Sequence, residues 1–472
     1  MIRAIQWVEI SLIFIMTKVV FLAQLAYSDF KSLPTRLQNI GRNRYLWFTR
    51  FNTISFGCLA DSILILYAIK NGADDLLVGI IVSFLYFTMP LMIIGKELIA
   101  KIGAARTYGY SWLMRNLSAA IMVLTPFATV NFSRVAGLAL LTLSTFSFFA
   151  FRSVGFTANT PLLGEVTAAN NRGNFISKVW LNFNLFCLLT LTALMFVLKS
   201  SESITVFQGI IIVGVSAGLL SSLILFKIPE TPNPRLSGQV PLKKSFSLLW
   251  NNNRSRKLIY GWSAASACIM LIIPFSMVAI KNGYGISDHN ALMFAIIQLI
   301  GGIVVSLMNV LILDRVGPRP MLIIYSFGLI INCLLWLVSP TEYVFWYPAV
   351  IFLINGICTA GIHTTLSHYF LTITSNSERV GSNMFLSIIS GVVAGAAGAF
   401  IGGGLLKILR NFIVADMSVY RGYFGLIFIF SIPLFLVIKQ IERIGDWKIR
   451  DVLGIFISFR DIRALFTLHR LE

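Results

Sequence analysis

The chain has 472 residues, of which 57% are hydrophobic and only 12% charged; soluble domains carry about a quarter charged residues. A mean hydropathy of +0.82 excludes a disordered chain, and five Cys in this length exclude a secreted disulfide scaffold. The 38 Lys and Arg against 19 Asp and Glu give a net charge of +19. These basic residues lie in short stretches between apolar runs, which is a membrane topology signal and not a nucleic-acid groove.

A helix needs about 20 apolar residues to cross the hydrocarbon core. At the N-terminus (1–41), the apolar run Ile5–Tyr27 is interrupted by Glu9, Lys18 and Gln24. It reads as an interfacial helix, with an extra span or an over-long start as the alternatives, and it lacks a signal-peptide cleavage site. Six spans follow near 46–69, 76–95, 108–130, 135–158, 175–198 and 204–226. The polar break 228–257 carries Pro229, Pro232, Pro234 and Pro241, which forbid one continuous helix. Six more spans lie near 258–280, 289–312, 320–339, 343–370, 381–408 and 421–438. The tail 440–472 alternates charged with apolar residues, as a helix lying on the inner membrane face does. Backbone polar groups in lipid must be satisfied internally, so the expected fold is an all-α polytopic membrane protein. Its twelve helices fall into bundles at 42–227 and 258–439.

Basic loops stay cytoplasmic. Arg36, Arg42, Arg44, Lys96, Lys101, Arg106, Arg172, Lys178, Arg315, Arg319 and Arg379 mark one side, as does the break, with five more Arg and Lys beyond Arg235 against Glu230. The other side carries single charges such as Lys70, Arg134, Lys199 and Lys281. The loop with Lys407, Arg410 and Arg421 dissents. The majority places both ends of the twelve-helix core in the cytoplasm of a cell (inner) membrane protein.

Two halves repeat. Ala68-Ile69-Lys70-Asn71-Gly72 recurs as Ala279-Ile280-Lys281-Asn282-Gly283, 279 − 68 = 211 residues later. Lys101-Ile102-Gly103 matches Arg315-Val316-Gly317 at 214, and Arg172 matches Arg379 at 207. An even number of spans per half makes the repeats parallel, related by a pseudo-twofold axis along the membrane normal.

Leu313-Asp314-Arg315-Val316-Gly317-Pro318-Arg319-Pro320 resembles the loop motif between the second and third helices of each half in the major facilitator superfamily. The first-half copy, Lys96 to Arg106, departs from it: Lys101 and Gly103 fit, but Ala100 stands where the motif has Asp, with Glu97 one turn earlier. Pro161-Leu162-Leu163-Gly164-Glu165 with Arg172-Gly173 is similar to the loop after the fourth helix in the sugar-porter branch, although the Pro is one residue closer and an aromatic is missing. The resemblance covers about residues 42–440. It implies a cytoplasmic gate built from Lys101, Glu165, Arg172, Asp314, Arg315, Arg319 and Arg379. Asp314 suits a neighbouring helix N-terminus, where negative charge is favoured; Arg315 and Arg319 mark the inside whether or not they gate.

Charged and polar groups inside spans are costly and therefore informative. Asp61 lies about 22 Å into the first span, a coupling carboxylate, an Arg partner or a residue snorkelling outward. Thr145, Arg152 and Asn159, seven residues apart, share a helical face, and an Arg there could bind an anionic or hydroxylated group or snorkel to the inner interface. Asn355, Thr359, His363 and Ser367 recur every four residues in the tenth span, as a binding stripe or as interhelical glue. Asn182 on the fifth span and Trp262 on the seventh are further cavity candidates, and Arg115 is expected to snorkel inward. Gly391, Gly395, Gly398 and Gly402 suggest close helix contact. The Cys have neither pairing nor metal spacing, and no nucleotide motif is present, so no cofactor or metal is expected.

The expected function is a secondary transporter of a small organic solute, proton-coupled and monomeric, among membrane lipids and without nucleic acid. A non-transporting receptor or scaffold is one alternative. The other is a lipid-linked glycosyltransferase using Asp74-Asp75, which otherwise read as a helix N-terminal pair.

Overall fold

The structure, a computed structural model, describes residues 32–442 apart from 60, 74, 169–170, 202, 287, 377 and 414–415, together with 447 and 452. The apolar run 5–27, Asp74 and nearly all of the expected amphipathic tail lie outside the described residues.

All regular elements among the described residues are helical. The first span is Thr35–Leu59 and Asp61–Lys70, starting well ahead of the expected 46. The second is Asp75–Phe87 and Met92–Ile102, the third Ala104–Met122 and Thr125–Asn131, and the fourth Arg134–Phe156 and Asn159–Glu165. The fifth is Arg172–Ser200 and the sixth Ile204–Leu225. Two short helices, Asn233–Gln239 and Leu242–Asn251, form the linker, each beginning just after a proline. The seventh span is Asn253–Val278 with a π-helical turn Ala279–Gly283, the eighth Asp288–Val316, the ninth Pro318–Leu337 and the tenth Trp346–Ile373. The eleventh is Arg379–Ala396, a π-helical turn Ala397–Gly402 and Gly403–Phe412; the twelfth is Asp416–Lys439.

Eleven of these spans are long and apolar enough to cross a membrane as single helices. The second is broken by a 3₁₀ turn, Met89–Leu91, at Pro90, which has no N–H to continue the ladder. The Thr88 hydroxyl supports the break, donating to the Phe84 carbonyl at 2.7 Å and meeting the Ser153 hydroxyl at 2.9 Å.

The helices pack as two lobes with one plan. In the first lobe, span 1 lies against spans 5 and 6, and span 3 against spans 4 and 6. In the second, span 7 lies against 11 and 12, and span 9 against 10 and 12. Adding six to each number of the first set gives the second. The lobes meet where span 5 crosses span 8 and span 2 crosses span 11, again a symmetric pair. Small residues allow the approach: Gly391 faces Met89, Gly395 faces Tyr86, and Gly302 faces Asn184.

The loop motifs form matching tight turns. Gly103 and Gly317 follow the second and eighth spans with φ of 93° and 84°, a backbone that disfavours any Cβ. The verbatim pentapeptides do not match in conformation. Gly72 turns at φ 87° beneath Arg134, whereas Ala279–Gly283 is a π-helical turn with Gly283 packed on Met417 and Tyr420. The dissenting basic loop has local duties: Arg410 donates to the Tyr420 hydroxyl at 2.8 Å, and Arg421 donates to the Ser339 carbonyl.

Candidate functional site

The basic-loop end of the seam holds the densest polar network. Asp314 ends the eighth span and reaches across to the N-terminus of the fifth. Its carboxylate accepts the backbone N–H of Gly173 at 2.6 Å and of Asn174 at 2.7 Å, and pairs with His368 Nε2 at 3.1 Å. A negative group on the free N–H groups of a first helical turn is doubly favoured, by hydrogen bonding and by the helix dipole. Arg172 Nη1 donates to the Leu371 carbonyl at 2.6 Å, and Asn174 Nδ2 to the Val310 carbonyl at 3.0 Å. Asn383 Nδ2 adds a bond to the Thr157 carbonyl at 3.2 Å.

Beside these, Glu165 accepts the Thr231 N–H at 3.2 Å and its hydroxyl. Arg379, 4% exposed, packs against Gly164. The structure thus brings Glu165, Arg172, Asp314 and Arg379 into the seam. It does not bring the other three expected gate residues there. Lys101 and Arg315 are exposed, and Arg319 donates to the Lys439 carbonyl at 3.0 Å within its own lobe, because that turn of the ninth span faces the twelfth. Glu97 is exposed as well; its neighbour Lys96 is the buried residue.

The linker contributes a carboxylate that the sequence reading passed over. Glu230 Oε2 accepts the N–H groups of Ala104 at 2.8 Å and Ala105 at 2.9 Å, at the start of the third span. Burial pushes its carboxyl up to about 7, helped by nearby Glu165; the two N–H bonds and Arg235 hold it from rising further.

At mid-depth the lobes touch through rings. His363 of the tenth span stacks on Trp180 of the fifth, centroids 5.3 Å apart and planes 16° from parallel. Trp262 sits half-buried, its ring edge-on to Phe370 at 6.5 Å. Tyr86 donates to Met270 Sδ at 3.2 Å across the second and seventh spans. The expected stripe on the tenth span divides. Thr359, His363 and Ser367 are half-buried, but Asn355 is wholly buried with neither end of its amide hydrogen-bonded. A four-residue step overshoots a turn by about 40°, so the stripe winds about 120° from end to end. The Thr359 hydroxyl donates to the Asn355 carbonyl at 2.7 Å.

The first lobe corrects three expectations. Arg115 does not snorkel. It is 1% exposed, donates to Asn52 Oδ1 and Ser55 Oγ at 3.1 Å each and to Asn116 Oδ1 at 3.4 Å, and lies over the rings of Trp112 and Phe148. Its hydrogen-bond partners among the described residues are all neutral, which is unusual for a charge at this depth. Thr145, Arg152 and Asn159 do not form one open face, because the fourth span packs closely on the third. Thr145 is wholly buried, Arg152 lies over the Phe156 ring at 5.5 Å, and Asn159 Oδ1 accepts the hydroxyls of Tyr45 at 2.7 Å and Tyr108 at 3.1 Å. Asn182 is the acceptor for Arg50 Nε at 2.7 Å, an in-span arginine the sequence reading missed. The Asp61 side chain lies outside the described residues. The five Cys are free, and no His, Cys, Asp and Glu cluster among the described residues suits a metal.

The sequence matches the family model of the Major Facilitator Superfamily over residues 46–399. The chain belongs to this superfamily. It is an integral, multi-pass membrane protein with the superfamily's two six-helix bundles. Among solved structures, it is similar to a bacterial homologue of the iron transporter ferroportin in an outward-facing state, with 10% identity and a TM-score of 0.65 over 84% of this chain and 98% of that one. It is similar to the proton:xylose symporter XylE at 13% and 0.63, covering 89% and 97%, and to the transporter FucP in the outward conformation at 14% and 0.62, covering 83% and 98%. At these identities the likeness is one of fold. No curated protein sequence matches the chain.

Proposed function

We propose that this major facilitator protein is a secondary active transporter that moves a small organic solute by alternating access, driven by protons. The observation that carries the reading is the uneven seam. Among the described residues, the polar ties between lobes are concentrated at the basic-loop end, around Asp314, Arg172, Glu165 and Arg379. With basic loops inside, this state is closed to the cytoplasm. Two lobes joined by small residues and a breakable end network have the parts needed to rock about a central site. Trp180, Trp262, Thr359, His363 and Ser367 are the groups the solute would meet, and the His363 imidazole supplies one hydrogen-bond donor and one acceptor.

The test is uptake into proteoliposomes across a panel of sugars, organic anions and peptides, with and without an imposed proton gradient. Uptake of one class that rises with the gradient, and falls at least about tenfold in His363→Ala and Trp180→Ala with normal insertion, supports the reading. Absence of gradient-driven flux for every class, or full flux in both variants, refutes it.

A further inference from the structure

The two halves close the same end of the molecule by different chemistry. In the second half Asp314 caps the fifth span directly. Its counterpart is Ala100 (314 − 100 = 214), which has no carboxylate to offer. The helix left without that cap is the eleventh span, where Val380 corresponds to Gly173 (380 − 173 = 207).

That N-terminus is nevertheless satisfied, by the linker. Ser237 Oγ accepts the Val380 N–H at 3.0 Å. The helix Asn233–Gln239 carrying Ser237 packs against both the second span and the eleventh. Four ties hold it. Lys96, 4% exposed, donates to the carbonyls of Gly238, at 2.8 Å, and Val240. Arg235 Nη2 donates to the Ile102 carbonyl at 3.2 Å. Glu230 caps the third span, and Thr231 donates to Glu165. The fit is also steric: a Cβ on Gly238 would come within 2.7 Å of the Ala100 nitrogen and 2.9 Å of its Cα. Small residues at 100 and 238 let the linker backbone lie where a longer side chain at 100 would stand.

We propose that residues 229–241 act as a gate strap, with Ser237 and Lys96 as positioning residues that give the eleventh span the N-terminal cap Ala100 cannot. The strap bridges the two lobes, so it lifts each time the basic-loop end opens, and its seating sets how often that happens. The role in transport rests on the transporter reading; the seating does not.

The test uses spin labels at the exposed positions Arg106 and Thr372, one in each lobe at that end, in the full chain reconstituted in nanodiscs. Distance distributions give the open fraction without requiring a known solute. Loss of one cap makes Ser237→Ala raise the open-to-closed ratio about fivefold, whereas Ser237→Thr, which keeps the hydroxyl, stays near the native ratio. Lys96→Met, which keeps the stem and removes the charge-assisted bonds, raises it roughly tenfold. Gly238→Val unseats the strap by collision and moves the ratio the same way. Native distributions in Ser237→Ala and Lys96→Met, or equal shifts in Ser237→Ala and Ser237→Thr, would overturn the proposal. Absence of uptake for every solute alongside the expected shifts would overturn the transporter reading alone.

Discussion

The helix caps at the ends of the eighth span and the second span differ in where their acceptor comes from. At the eighth, one carboxylate on a rigid helix end reaches the opposite lobe. At the second, the acceptor is a hydroxyl on a short helix outside both bundles, held by a buried lysine. An incomplete motif in one half therefore does not mean an uncapped helix in the other. The free N–H groups of a helix start must find partners, and a neighbouring segment of chain can provide them. The strap also has many small ties where the carboxylate has a few strong ones, so the two gates should respond differently to mutation and to pH.

The largest expected effect is on the single-residue gate. Asp314→Ala removes two charge-assisted bonds and the partner of His368, and the spin-label open fraction should rise by about 30-fold. A rise no greater than that of Ser237→Ala would mean the two gates carry equal weight.

The second effect is pH dependence on the strap side. Glu230 is raised from its ordinary value to about 7 by burial, so the seated strap favours the protonated carboxyl. That contribution is complete below about pH 4.5 and is lost as pH rises through about 7. The open fraction should grow several-fold from pH 5 to pH 8. Glu230→Gln should flatten the growth; an unchanged slope would detach Glu230 from the gate.

A smaller effect tests the middle of the seam. Trp180→Phe keeps an aromatic face for His363 at reduced area and should change the open fraction by no more than about threefold. A larger change would move the dominant closure from the loop end to the centre. The smallest effect is expected outside the seam. Glu442 is held below the usual carboxylate range by hydrogen bonds from Arg254 and Lys257, all at the surface. Glu442→Gln should shift Tm by less than about 2 °C at neutral pH. Its contribution is present above the ordinary carboxylate range and fades only as pH falls below it.

Much of this was legible in the sequence for physical reasons. Apolar runs of crossing length, prolines in the linker and matching loop glycines each fix local structure, and Asp314 announced its place because an acid after a span and beside a glycine turn has few sites as good as a helix N-terminus. Other features had no local signal. Ser237 is an ordinary serine until the eleventh span is laid against it. Arg115 looked able to reach the interface, but Asn52 and Ser55, three apart on the first span, give it partners inside. The tenth-span stripe was drawn as straight, and the helix winds it out of line.

The two π-helical turns carry a mechanical consequence. Both lie toward the same end of the second lobe: Ala279–Gly283 in the seventh span, with Gly283 on Met417 and Tyr420, and Ala397–Gly402 in the eleventh, with Gly402 on Phe275 and Tyr423. Each widens a ring of backbone bonds and weakens it. That third of the lobe is thus compliant while the strapped end is stiff, so a push from a bound solute would be absorbed as bending there before it turned the lobe as a whole.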